Sequence, residues 1–421
     1  MTVRKILLAA VTMLALATST SCSNTSEQAI PSETPVVPAG YATTQYQLRN
    51  DMRMLWTQHV LWTRVVIIDM VANLPDTAPA TQRLLQNQND IGNAIRPFYG
   101  DAAADQLTSL LREHITGAAD VVTAAKAGDM ARLQTASAAW YDNADRIAHF
   151  LAAANPNWPL AELQSMMRTH LDQTIAEATA RLTQDWTGDV AAYDAIVDHI
   201  LHMADTLSAG ISAQFPNQVS ATSGVTARGE DTYRAMRKLW EDHVMWTRVV
   251  IIDMLADLPD TPVATDRLLR NQDDIGNAFR PFYGDAAADQ LTALLREHIT
   301  GAAAVVAAAK AHDMAGLQTA SAAWYNNADR ISDFLAAANP NWPLADVKAM
   351  MRTHLDQTTM EATSRLAGDW ATDIATYDAI EAHILSMADT LSVGVLRQFP
   401  NGPGTAPVTT DDDSTSGSHS H

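Results

Sequence analysis

Cysteine is nearly absent from this chain: Cys22 is the only one among 421 residues. No intrachain disulfide can form, so stability has to come from packing. Runs of alternating β-branched and polar residues are missing as well, which removes the signal for a sheet. Positive charge is scarce, with 28 Lys and Arg against 48 Asp and Glu and a formal net charge of −20. Nucleic acid and anionic headgroups are poor partners for such a surface. The chain also lacks Glu-x-x-His, His-Glu-x-x-His, a Walker loop, a dinucleotide fingerprint and Cys-x-x-Cys-His. Those gaps count against a ferritin-like di-iron site, a zincin, a nucleotide-binding enzyme and covalently attached haem. Nothing marks a nucleophile or a general acid, so an enzyme is the less favoured class.

What is present begins with an export signal. Arg4 and Lys5 precede an apolar run from Ile6 to Ala17 and then small residues up to Cys22, the layout of a secretory signal over residues 1–21. The run is too short to span a membrane. Cleavage after Ala15-Leu16-Ala17 would give plain secretion. Cleavage before Cys22 would make that residue the lipidated first residue of an envelope lipoprotein anchored to the membrane. The second reading explains a lone exported thiol, although Ser19 stands where lipoprotein signals usually carry leucine. Residues 22–43 and 401–421 are rich in Ser, Thr, Pro and acid, and read as a disordered tether and tail.

The body of the chain is a tandem duplication. LWTQHVLWTRVVIID at 55–69 returns as LWEDHVMWTRVVIID at 239–253, and His59 maps to His243 at an offset of 184 residues that holds through Phe215. The repeats are 44–215 and 229–400, joined by a linker over 216–228. Apolar residues recur at three and four, as in Leu107, Leu110, Leu111, Ala118 and Val121, so the expected fold is all-α. LPDT, RPFYGD, AKAGD, NPNWP and, least clearly, DWTGD divide each repeat into about six helices. Gly100 and Gly128 suit helix ends, while Asp101 and Asp129 suit N-caps. Short connections favour two up-down bundles, with an α-solenoid of helical hairpins as the alternative.

Within each repeat, LTSLLREHI and LQSMMRTHL align His114 with His170. His59, Asn87, His114, Asn143, His170 and His199 each fall near the middle of a different helix. Midpoints of antiparallel helices share one level, so inward-facing side chains there meet in a layer. The expected site is therefore His59, His114, His170 and His199, with His243, His298, His354 and His383 as its twin. Glu177, Met203, Asn87 and Asn143 are auxiliary candidates, as are Glu361 and Met387 in the second repeat. Several imidazoles suit copper, zinc, iron or nickel, and methionine tilts the choice toward copper. Haem is another cofactor such a layer can hold. The competing readings are a hydrogen-bonded core layer that sets helix register and a pocket for an organic ligand. The recurring tryptophans are read as core. Asp69 is expected on the surface beside Arg64 or Arg83, Arg112 and Arg168 in salt bridges, and His149, His202 and His312 exposed.

LWxxHVxWTR, NQxDIGNA and NPNW together resemble a set of bacterial helical-repeat proteins over nearly all of both repeats. The resemblance implies no activity, ligand or partner. The function expected from the residues is metal or metal-cofactor binding for storage, sensing or delivery. The alternatives are a structural or interaction module and a metalloenzyme.

Overall fold

A computed structural model describes residue 40 and residues 42–222 and 224–407. The expected signal, most of the tether, Cys22 and most of the tail lie outside the described residues. The described chain is almost wholly helical and divides into two compact units, one ending at Val225 and the other beginning at Thr226.

In the first repeat, α1 (Gln45–Ala72) begins at a capping box. Thr44 Oγ1 accepts from the Gln47 amide at 3.1 Å, and the Gln47 side chain accepts from the Thr44 amide at 3.1 Å. Two donors that the first helical turn leaves open are thereby satisfied. Helix α2 (Thr77–Ala127) carries Pro97 and a non-helical Gly100 at φ 78°, ψ 174°. The chain doubles back there: Gly92 stands against Thr108 and Ala104, and Arg112 donates to the Leu85 carbonyl at 3.0 Å. Only glycine adopts that backbone region readily, so Gly100 is what turns one hydrogen-bonded run into two antiparallel arms. Helices α3 (Met130–Ala154), α4 (Leu160–Leu182) and α5 (Trp186–Gln214) complete the repeat.

The six expected segments are thus present as five helices, one of them folded in two. Gly128 is a left-handed C-cap at φ 66°, and Asp129 caps α3 by accepting from the Arg132 amide. Asp101, just past the turn at Gly100, pairs with Arg96 at 2.8 Å. The cut at DWTGD holds in both repeats despite the change of Gly188 to Thr372. In each case an aspartate, Asp185 or Asp369, accepts from the amide three residues on.

Consecutive helices pack on one another, and α1 packs on α5. That last contact closes the repeat on itself, as a bundle does and an open solenoid does not. The second repeat follows the same plan with α6 (Ala227–Ala256), α7 (Thr261–Lys310, turning at Gly284), α8 (Met314–Ala338), α9 (Leu344–Leu366) and α10 (Trp370–Gln398). Helices α7 and α10 are long and apolar enough to cross a membrane by composition alone, and their apolar faces form part of the core of the second bundle. One feature beyond the helices is a short parallel pairing of β1 (Thr43–Thr44) with β2 (Val219–Ser220), which ties the segment before α1 to the end of the first repeat.

The cores are conventional in content. Trp56, Trp62, Trp140 and Trp158 are buried, as are their second-repeat counterparts. Ile67, Val122 and Ala178 pack together from three different helices.

Candidate functional site

His59, His114 and His170 meet in the middle of the first bundle, at 2%, 2% and 3% exposure. They come from α1, the second arm of α2, and α4. The ring nitrogens Nε2 of His59 and His170 face each other at 3.4 Å. The His114 ring stacks on His170 with centroids 6.0 Å apart, and Trp140 covers it at 5.2 Å. Trp56 meets His59 edge-on at 5.5 Å. The second repeat repeats the set, with His243–His354 centroids at 5.5 Å and His298–His354 at 6.0 Å.

The hydrogen bonds around the rings assign their protons. Asn143 donates its Nδ2 to the Leu110 carbonyl, so its Oδ1 faces His114 Nδ1 at 2.9 Å and must accept from it. His114 is thereby held with Nδ1 protonated and Nε2 carrying a lone pair. That Nε2 is buried and has no hydrogen-bond partner. Gln88 donates to the Leu84 carbonyl and to Asn87 Oδ1, and its Nε2 lies 3.3 Å from His59 Nδ1. The two Gln88 N–H groups are directed at those two acceptors, and the 3.3 Å approach to His59 is a longer third contact of the same nitrogen. Gln88 Oε1 and His170 Nδ1 are also buried without a partner. His298 Nε2, His354 Nδ1 and Gln272 Oε1 share this state in the second repeat.

Burial keeps the rings neutral. It lowers His59 to about 3 and His114 to about 4, with His114 adding a smaller downward push on His59. His170 lies well below the usual imidazole range, first from burial and then from the adjoining rings. His243 and His298 follow at about 3 and about 4.

The other expected members separate from this group. His199 is half-buried at the edge of the bundle, where its Nε2 donates to the Met166 carbonyl at 2.9 Å, and His383 does the same to Met350 at 3.0 Å. Asn87 lies inside, but its amide is spent on the Leu55 carbonyl at 2.9 Å and on Gln88. Met203 and Met387 are buried in an apolar cavity on one side of the layer. His149, His202 and His312 are exposed. Among the described residues, no three or more His, Cys, Asp or Glu side chains already converge as metal ligands.

Glu177 does not join the imidazoles. It lies two turns beyond His170 on α4 and accepts from Arg64 Nη1 at 2.7 Å, while Arg64 also reaches Asp189 at 2.9 Å. Arg181 binds Asp189 at 2.9 Å, and the Arg64 guanidinium lies over the Tyr193 ring at 4.7 Å. Arg248, Glu361, Asp373 and Arg365 form the twin cluster. Burial pushes Glu177 up to about 7 against the pull of Arg64. The sequence reading set Arg64 and Asp69 on the surface, and both are buried, with Asp69 fully so. Arg168 does form the expected bridge, to Asp145 at 3.3 Å. Arg112 serves the Leu85 carbonyl rather than a carboxylate; its counterpart Arg296 serves the Leu269 carbonyl and also binds Asp273 at 3.1 Å.

Comparison with protein-family models, curated proteins and solved structures finds no match to this chain.

Proposed function

We propose that each bundle binds one late transition-metal ion in its imidazole layer, through His59, His170 and His114 in the first repeat and His243, His354 and His298 in the second. The facing pair carries this reading. Imidazole–metal bonds of about 2.0–2.1 Å place two nitrogens on one ion roughly 3.3–3.6 Å apart at tetrahedral to trigonal angles. His59 Nε2 and His170 Nε2 stand at 3.4 Å. The rings are neutral at pH 7, as ligands must be. Asn143 supplies the outer hydrogen bond that fixes a ligand's tautomer and leaves His114 Nε2 free to coordinate. Ring centroids 5.5 Å apart favour a bare ion over haem, which needs room for a macrocycle between its axial rings. On this reading the protein is exported and anchored through a lipid on Cys22, and it holds ions at the cell envelope for storage, sensing or delivery.

A second reading has one observation in its favour. Gln88 Nε2 lies 3.3 Å from His59 Nδ1, and an N–H shared between Asn87 and this ring would leave His59 Nε2 to donate to His170. The resulting chain needs no ion and would fix the register of the helices it joins.

Loading the full chain in turn with copper, zinc, nickel and iron, followed by desalting and metal analysis, separates the two. The metal-site reading expects two equivalents of one of these ions, one equivalent in His170→Ala and two in His149→Ala. Retention of none overturns it. The register reading then expects His170→Ala to lose about 1–3 kcal/mol of stability from partners left unsatisfied, whether or not metal is added.

A further inference from the structure

The inference here rests on the metal-site reading and narrows it to one kind of ion. From the donor set and its surroundings we infer that the layer takes monovalent copper, held by neutral imidazoles and reached through a methionine-lined cavity, in preference to zinc or another divalent ion.

Charge is the first argument. The three rings are sealed in the core, and the side chains that the described hydrogen bonds and ring contacts set against them are one another, Gln88, Asn143, Trp56 and Trp140, all uncharged groups. Glu177, the buried acid on the same helix as His170, is bound by Arg64. Its cluster sets two arginines against two carboxylates, Arg64 and Arg181 against Glu177 and Asp189, so it contributes no net negative charge. An ion in this layer keeps its full charge. The idealised cost of taking an ion out of water rises with the square of its charge, so a divalent ion is penalised about fourfold relative to a monovalent one.

Coordination number is the second. Structural zinc is almost always four-coordinate. Here two rings face each other and the third is stacked beside them, and among the described residues no three or more His, Cys, Asp or Glu side chains already converge on one point. Monovalent copper is satisfied by two or three donors. A spacing of 3.4 Å between His59 and His170 corresponds to an angle of roughly 110–120° at bonds of about 2 Å. That angle leaves a third position, for which His114 Nε2, buried without a partner on the ring stacked against His170, is the candidate donor.

The third argument comes from the cavity. On the side of the layer toward the start of α1, an apolar cavity is lined by Met52, Met166, Met167 and Met203 together with Trp56. Trp56 is the residue that meets His59 edge-on, so the cavity adjoins the site. The second repeat keeps all four sulfurs, as Met236, Met350, Met351 and Met387 around Trp240. Thioether sulfur is a soft ligand that selects monovalent copper and offers little to zinc. Thioethers lining a cavity that adjoins the imidazoles favour one ion and discriminate against the other. No electron transfer is involved, because the ion arrives reduced.

The test uses the full chain under anaerobic conditions. Cu(I), supplied as its acetonitrile complex, is titrated against a coloured Cu(I) chelator, and Zn(II) is titrated separately against a zinc indicator. The expected result is two Cu(I) per chain, with zinc at least about 100-fold weaker. His170→Ala should drop to one Cu(I). Met203→Leu, which conserves volume and should fold, ought to keep two Cu(I) but take up one of the two several-fold more slowly, the second bundle keeping its own cavity; an unchanged rate for both overturns the cavity route. Zinc bound at two equivalents as tightly as Cu(I), and lost from the same histidine variant, overturns the choice of ion and leaves the metal site standing. Binding of neither ion, nor of nickel or iron, overturns both.

Discussion

Replacing Arg64 by methionine probes the buried charge cluster, and its outcome can be worked out from the contacts. The guanidinium is 1% exposed and holds Glu177 at 2.7 Å and Asp189 at 2.9 Å. Methionine keeps much of the stem's packing, so the variant reports mainly the loss of charge. Asp189 retains Arg181 at 2.9 Å, whereas Glu177 loses the bond that draws it down. Breaking a buried pair in this way costs about 3–5 kcal/mol, because a charge is left uncompensated. For a domain of this size each kcal/mol lowers the melting temperature by about 2–4 °C, which gives a fall of roughly 6–20 °C in the transition of the first bundle.

The same variant should show a defined pH dependence. Glu177 sits at about 7 when folded, against an ordinary value of 4.5, and removing Arg64 pushes it further up. A carboxyl raised on folding contributes stability that is complete below its unfolded value and is lost as pH rises through its folded value. Arg64→Met should therefore be most damaged near pH 8 and recover toward pH 5. Adding Glu177→Gln should restore most of the loss at pH 8. Differential scanning calorimetry of wild type and both variants at the two pH values is the assay. A loss below about 1 kcal/mol with no pH slope refutes the reasoning.

Other consequences can be checked separately. Gly210→Ala places a methyl against Trp158 Nε1, with the ring close on both sides, and should cost about 1–3 kcal/mol in chemical denaturation. Gly100→Ala puts a side chain at φ 78° and should destabilise the first repeat by about 1–3 kcal/mol, while the same change at an exposed helical position would stabilise by up to about 1 kcal/mol. Mass spectrometry of the mature N-terminus should find an acylated Cys22; a lipid-free chain starting at Thr18 would rule out the anchor. The segment 228–401, expressed alone, should melt cooperatively, and a chain soluble only when both repeats are present would contradict independent folding.

How far the sequence could be read depended on which residues announce their surroundings. Helix ends were legible because Gly128, Asp129 and Asp185 act through their own backbone geometry or short side-chain bonds, which need no distant partner. His59, His114 and His170 were legible because position along a helix fixes height in an up-down bundle. His199 was not separable from them by that rule. Its height is right, but its ring lies at the edge of the inward arc and finds the Met166 carbonyl. Gln88 carries no such signal: it has no aligned partner in the repeat within a repeat, and adjacent helical residues point about 100° apart. Both turn toward α1, Asn87 to the Leu55 carbonyl and Gln88 to His59. The charge cluster was hidden for a different reason. Arg64, Glu177 and Asp189 lie far apart in the chain, and charged residues are ordinarily outside. The available signal was the unbroken apolar company of Arg64 in LWTRVVIID, which marks a helix surrounded on every face.

The central claim, that the imidazole layer binds metal, is tested most directly by native mass spectrometry of the full chain purified from its own envelope without chelator and then offered Cu(I) anaerobically. The account expects a folded chain heavier by two copper ions, by one in His170→Ala, and by two in His149→Ala. A folded wild-type chain that stays at its metal-free mass after exposure to Cu(I), zinc, nickel and iron would contradict it.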